Sequence, residues 1–277
     1  MKKNVMYFLI GFLLILVVLI IYFLTRKEKF LNIEKKYIIS LSTIPNNFDN
    51  IYKTISNLLS QSESSKIDKI IVNVPKKYSF RFNNEAIEPN KITKFKNYYK
   101  NKNVYINLVN NDFGPGTKIL GLFENNIVDF NELNKYLIIV DDDVTYVPDM
   151  IEKFEKYNKN NNIKAASGWT YMINDVIIGQ GVDAFFIKLD LLKDFWKYFQ
   201  DIKNLDYVKY HDDIYITYYL WLKNIKVKSL EKIFPNGTYK KMNITHNNTQ
   251  LHNISGKYSR KNVHGKVMII LNNYFKK

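Results

Sequence analysis

Two kinds of apolar pattern alternate along the chain. Short runs rich in β-branched and aromatic residues stand at Tyr37–Ser42, Lys69–Val74, Asn103–Val109 and Tyr136–Val140. Runs of this length, without strict alternation, read as strands buried on both faces, as in a parallel sheet. Between the first two, Ile51, Ile55, Leu58 and Leu59 repeat at helical spacing within Phe48–Ser60, with Asn46 or Asn47 available as a cap. Strand, helix and strand in that order make a βαβ unit with a right-handed crossover. Residues 76–102 are polar and weakly periodic, a loop with a short helix. Farther on, the pattern predicts helices over Ile119–Phe123, Asp149–Tyr157, Asp190–Tyr198 and Ile214–Leu222, the second opened by Pro148. It predicts strands at Ile163–Trp169 and Lys226–Leu230. Val176–Ile187 reads as a hairpin-like strand pair pivoting on Gly179 and Gly181. The expected fold class is therefore α/β, a mostly parallel sheet flanked by helices.

One segment stands outside this pattern. Val5–Leu24 is an uncharged apolar run of 20 residues, long enough to cross a bilayer as a helix. No small-residue cleavage site follows it, so the expectation is an uncleaved anchor and a single-pass membrane protein. Basic residues lie on both sides, Lys2 and Lys3 before it and Arg26, Lys27, Lys29, Lys35 and Lys36 after it, so charge leaves a cytoplasmic and a lumenal or external catalytic domain both open. The division expected is a short flank at 1–4, the anchor at 5–24, a charged stalk at 25–36, one catalytic domain at 37–235 and a basic tail at 236–277 packing on or near the active site.

Of the 277 residues, 46% are hydrophobic and 15% aromatic, a globular composition. There is no cysteine, which excludes disulfides and thiolate metal sites. The net charge of +15 invites a nucleic-acid partner. Lysine dominates over arginine, however, and asparagine, isoleucine, tyrosine and phenylalanine are abundant, as A/T-rich codons would produce. No nucleic-acid-binding signature is present, so no such partner is expected. The charge is uneven: 236–277 contains no acidic residue, a composition suited to an acidic ligand such as a diphosphate or to an anionic membrane surface.

Candidate chemistry lies at the ends of the apolar runs. Asp141, Asp142 and Asp143 close the buried run Tyr136–Val140. Three carboxylates there raise one another's pKa unless a cation sits among them. Ligands of α/β sheets bind outside the carboxyl ends of strands, so a divalent-metal site is expected. A solvated acidic turn is the plain alternative. Asp112-Phe-Gly-Pro-Gly-Thr-Lys118 joins a strand to a helix, where glycine lets backbone approach a ligand and the helix start favours anions. Asp212 and Asp213 open the helix before Ile214, where carboxylates are also ordinary dipole partners.

The ordered set Ser40-Leu-Ser-Thr-Ile-Pro45, Gly114-Pro-Gly-Thr-Lys118, Asp141-Asp-Asp143 and Asp212-Asp-Ile214 resembles the GT-A (Rossmann-like) nucleotide-sugar glycosyltransferases, in a family-2-like, DxD-containing form, over about Tyr37 to Leu230. The resemblance implies transfer of a sugar from a nucleotide-diphosphate donor to a hydroxyl on a glycan, protein or lipid acceptor. It implies Mn²⁺ or Mg²⁺ held by Asp141 and Asp143, with a C-terminal histidine as a further contact: His252 first, His246 and His264 as alternatives. Thr43, Pro45, Asp112, Gly116, Lys118, Asp141, Asp142, Gly179 and Gly181 are the implied donor-binding positions. Asp213 is the implied base of an inverting reaction, with Asp212 next. The acidic motif lacks the commoner Glu-Asp form, which leaves retaining chemistry open. Two other classes compete. A sugar nucleotidyltransferase would need a basic glycine-rich loop after the first strand, where Ser42-Thr43-Ile44-Pro45 offers none. A non-catalytic membrane-anchored protein would not need both acidic clusters.

Overall fold

The computed structural model describes residues 11–22, 34–80, 82–242 and 260–276. Residues up to Lys35 and those from Lys36 onward form two separate units. In the first, residues 11–22 are helical with exposed apolar side chains. Among the described residues no helix is long and apolar enough to cross a membrane. The expected single-pass membrane anchor is corrected accordingly. Residues 5–10 and 23–24 of that run lie outside the described residues.

The second unit is a mixed α/β fold. Its main strands are β1 (Tyr37–Ser42), β2 (Ile67–Pro75), β3 (Val104–Val109), β4 (Tyr136–Ile139), β6 (Ala165–Ser167), β9 (Phe185–Lys188) and β10 (Lys228–Ser229). They form one sheet in the order β10-β6-β9-β4-β1-β2-β3. All neighbours are parallel except β9, which runs antiparallel to both β4 and β6. The expectation of a mostly parallel sheet between helices holds.

Buried alternation explains why both faces are covered. Ile38 and Leu137 face one apolar cluster, Ile39 and Ile138 the other. The first cluster takes α3 (Thr117–Glu124), α5 (Phe195–Ile202), α6 (Asp212–Leu222) and α7 (Arg260–Phe275) through Leu120, Phe195, Tyr215 and Leu271. The second takes α1 (Ile51–Leu59), α2 (Pro89–Tyr98) and α4 (Met150–Asn161) through Ile55, Phe95 and Phe154.

Two departures concern the site. Val176–Ile187 is not a hairpin. Instead β7 (Thr170–Ile173) pairs antiparallel with β8 (Val176–Gly179). The reason is the turn between them: Asn174 and Asp175 both have positive φ, 45° and 64°, the geometry of a two-residue hairpin loop. That leaves β9 to enter the main sheet. The second departure is a ribbon in which β11 (Tyr239–Lys241), the start of the basic tail, pairs antiparallel with β5 (Val144–Tyr146) directly after the aspartate triplet.

Candidate active site

β4 ends where the three aspartates begin, on the carboxyl side of the parallel strands. The Asp141 N–H donates to the Tyr146 hydroxyl at 2.9 Å. Asp142 is held from the β1 side. Its carboxylate accepts from the Asn47 amide at 2.7 Å, and its carbonyl accepts from Thr54 at 2.8 Å. Asn47 closes the single 3₁₀ turn opened by Pro45. Thr43, just before it, is buried, with its carbonyl accepting from the Tyr78 hydroxyl at 2.9 Å. Burial and then the Asp143 charge push the Asp142 carboxyl up to about 7. Asp142 thus ties the triplet to the β1 turn and the first helix.

Lys118 sits in the first turn of α3. The loop before it is locked by Asp112, whose carboxylate accepts from the N–H groups of Gly114 at 2.9 Å and Phe80 at 2.7 Å. A buried polar ladder holds the helix start against the sheet. Ser40 donates to the Lys118 carbonyl. The Asn73 amide donates to Ser40 at 2.8 Å and to the Leu41 carbonyl at 3.0 Å. The Asn107 amide donates to Asn73 and to the Gly121 carbonyl, both at 2.8 Å. Buried polar groups satisfied in this way fix one arrangement.

The Lys118 ammonium lies 2.8 Å from Asp141 and 3.1 Å from Asp212. Burial alone would lower its pKa, but the charges of Asp141, Asp212 and Asp213 outweigh burial and hold it well above its usual value. One buried cation therefore joins the two acidic motifs, which are 71 residues apart by the numbers of Asp141 and Asp212 (212 − 141).

Two glycines make room for this arrangement. A Cβ on Gly181 would stand 2.8 Å from the Lys118 ammonium. A Cβ on Gly116 would stand 1.8 Å from the hydroxyl of Tyr215, a side chain with no exposed surface. Gly116→Ala is therefore expected to destabilise the fold by about 1–3 kcal/mol, measured by denaturant unfolding. Adding Tyr215→Phe should recover part of that loss. Equal loss in the single and double variants would show that the clash lies elsewhere. Gly179 has a packing role: a Cβ there would meet the Phe185 ring at 2.6 Å.

Asp213 lies in the first turn of α6, where its carboxylate accepts from the Gly181 N–H at 3.0 Å. Burial first, and Asp212 second, push its carboxyl up to about 7. The Gly179–Gly181 segment thus meets both Lys118 and Asp213. Asp183, two residues on, is a site residue that the sequence reading missed. It is buried, and burial raises its carboxyl to about 6 against the backbone hydrogen bond from Thr238, with Asp141 adding a smaller rise. A carboxylate raised in the folded state contributes stability below its unfolded pKa of about 4, and that contribution is lost as pH rises through about 6. Asp183→Asn should therefore melt on the order of 2–4 °C above wild type at about pH 8, with a smaller gain at about pH 5. Equal shifts at both values would contradict this.

His252 and His246 lie outside the described residues. His264, on α7, stacks on Tyr171 at 5.5 Å between ring centroids. It also stands edge-on to His211 at 4.8 Å. His211 immediately precedes Asp212, so the C-terminal helix reaches the second acidic motif through this ring contact.

Among the described residues no three His, Asp or Glu side chains come together as a metal cage. Mg²⁺ needs no such cage, because it binds through one or two carboxylates together with substrate phosphates. Asp141 and Asp143 are hard oxygen donors of that kind. Lys118 sets one positive charge against Asp141, Asp212 and Asp213. The oxygen donors Asp141 and Asp143 fit a divalent cation.

No protein-family model matches the sequence, and no curated protein matches it. Among solved structures, the chain is similar to S. aureus TarS 1-349 in complex with UDP-GlcNAc, at 14% identity and a TM-score of 0.48, covering 76% of this chain and 60% of that one. It is similar to S. aureus TarS at 15% identity and a TM-score of 0.49, covering 74% and 36%. It is also similar to the mannosyltransferase PcManGT from Pyrobaculum calidifontis in complex with GDP-Man and Mn2+, at 12% identity and a TM-score of 0.43, covering 63% and 53%. The chain thus spans 60% or less of the length of each of these structures.

Proposed function

We propose that this protein is a GT-A-type glycosyltransferase, transferring a sugar from a nucleotide-diphosphate donor to a hydroxyl acceptor with inversion. The observation that carries the reading is the Lys118 ammonium set between Asp141 at the end of β4 and Asp212 at the start of α6. It makes one charged centre from two motifs that the sequence keeps far apart, at the sheet edge where α/β proteins bind ligands.

The roles follow from position and charge. Asp141 and Asp143 would hold Mn²⁺ or Mg²⁺, which when bound neutralises the donor diphosphate and stabilises it as a leaving group. Lys118 orients Asp141 and Asp212 through its two ion pairs. Asp142 anchors the triplet through Asn47 and Thr54. Asp213, held by the Gly181 N–H, takes the proton of the acceptor hydroxyl as its oxygen attacks the anomeric carbon. The bond from that carbon to the diphosphate breaks on the opposite face.

The test is release of nucleoside diphosphate from a set of nucleotide sugars with Mn²⁺. No nucleoside diphosphate from nucleotide sugars, with release of pyrophosphate from a nucleoside triphosphate and a sugar 1-phosphate, would make the protein a nucleotidyltransferase. Chelation with EDTA should abolish donor binding by calorimetry. Asp143→Asn should weaken it by more than the roughly 10–100-fold that even outer-shell partners of a metal can cost. Donor affinity unchanged without metal would remove Asp141 and Asp143 from that role.

A further inference from the structure

Beside the aspartate triplet lies a cavity of about 450 Å³ that the roles above leave unused. Its size is that of a small-ligand site. Its walls come from the same sheet edge: Trp169 follows β6, Asp183 precedes β9, Glu231 follows β10, and Phe234 and Tyr239 flank the turn into β11. That turn is built to close on the cavity. Gly237 has φ of +77°, a conformation that favours glycine, and a Cβ there would come to 3.8 Å from the Asp183 carboxylate.

Three features define what the cavity suits. Trp169 leaves an aromatic surface 47% exposed, while Phe234 is buried beneath. A flat apolar face of this kind matches the C–H face of a pyranose ring, and indole stacking supplies area at little entropic cost. Asp183 and Glu231 are acceptors for hydroxyl donors, and hydrogen bonds to charged acceptors are the stronger kind. Among the described residues that line the cavity there is no lysine, arginine or histidine. Its two carboxylates repel phosphate, so the cavity favours an uncharged ligand over a phosphate-bearing one.

We propose that this cavity is a binding site for a neutral saccharide unit, stacked on Trp169 and hydrogen-bonded to Asp183. Tyr239, on the cavity, pairs with Tyr146, whose hydroxyl accepts from the Asp141 N–H, so the bound sugar sits next to the reaction centre. Its role as acceptor rests on the transferase reading; its ligand chemistry does not.

The experiment is saturation-transfer NMR on the full chain in EDTA, with glucose, galactose and N-acetylglucosamine at millimolar concentration. Glucose 1-phosphate serves as the anionic probe. At least one neutral sugar should receive saturation at its ring protons, and glucose 1-phosphate should not. Trp169→Ala should weaken that binding by about tenfold, and Trp169→Phe should restore most of it. Asp183→Asn should weaken it by about tenfold while the protein melts no lower than wild type. Binding of glucose 1-phosphate alone, no neutral sugar bound by wild type, or equal binding by Trp169→Ala would each overturn the proposal. A wild-type protein that binds a neutral sugar here yet binds no nucleotide sugar with Mn²⁺ would overturn the transferase reading and leave this site standing.

Discussion

Lys118→Met should cost the fold about 3–5 kcal/mol, the penalty for leaving a buried carboxylate without its partner. The methionine keeps the length of the aliphatic stem and removes only the ammonium. Asp141 is a third exposed and can recover solvation, but the Asp212 side chain is 8% exposed and cannot. The loss should therefore come through Asp212. Adding Asp212→Asn, which removes the stranded charge, should recover more than half of it, whereas adding Asp141→Asn should recover little. Urea unfolding of the four proteins forms the cycle that isolates the coupling. A loss below about 1 kcal/mol, the scale of an exposed ion pair, would mean that Lys118 is a surface contact and that the two acidic motifs are not joined through it.

The same lysine shows what the sequence could reveal and what it could not. The β1–β4 part of the sheet was legible because each strand is a short, mostly apolar run, and burial on both faces produces that pattern directly. The aspartates at the end of β4 were legible because polar charge after an apolar run marks where a strand leaves the sheet. That Lys118 would reach both Asp141 and Asp212 was not legible, because local patterns carry no information on contacts across 94 residues (212 − 118).

Other features left a trace that went unread. Asn73 and Asn107 each interrupt an apolar strand and lie opposite each other in the β2–β3 register. A lone asparagine in each of two such runs signals a buried amide pair. Asn174-Asp175 was a hairpin turn in plain view, and missing it placed β8 against β9. Asp183 follows the glycines at Gly179 and Gly181 and precedes the apolar strand β9, where a carboxylate is costly unless it has a role. The anchor at Val5–Leu24 was the opposite error. Apolar composition alone suggested it, whereas among the described residues no helix is long and apolar enough to cross a membrane.

Asp213→Asn should lower turnover by about 10²–10⁴-fold, the range for loss of a general base. The substitution keeps an oxygen that can accept the Gly181 N–H, so the geometry at 3.0 Å survives. What is lost is the ability to take a proton. The ionised form is the active one, and burial with Asp212 pushes this carboxyl up to about 7. In wild type, kcat/KM should therefore rise with pH and level off above about 7, and the variant should lose that rise. Donor affinity should change little, because the diphosphate is assigned to Asp141 and Asp143. A dipole partner at the start of α6 would behave differently, with about 0.3–1 kcal/mol of stability lost and turnover intact. Thermal melting, donor titration and single-turnover transfer on one variant separate these outcomes. Normal transfer by Asp213→Asn would return the residue to a helix-start role and move the base to Asp212, whose ion pair with Lys118 would then have to open for each turnover.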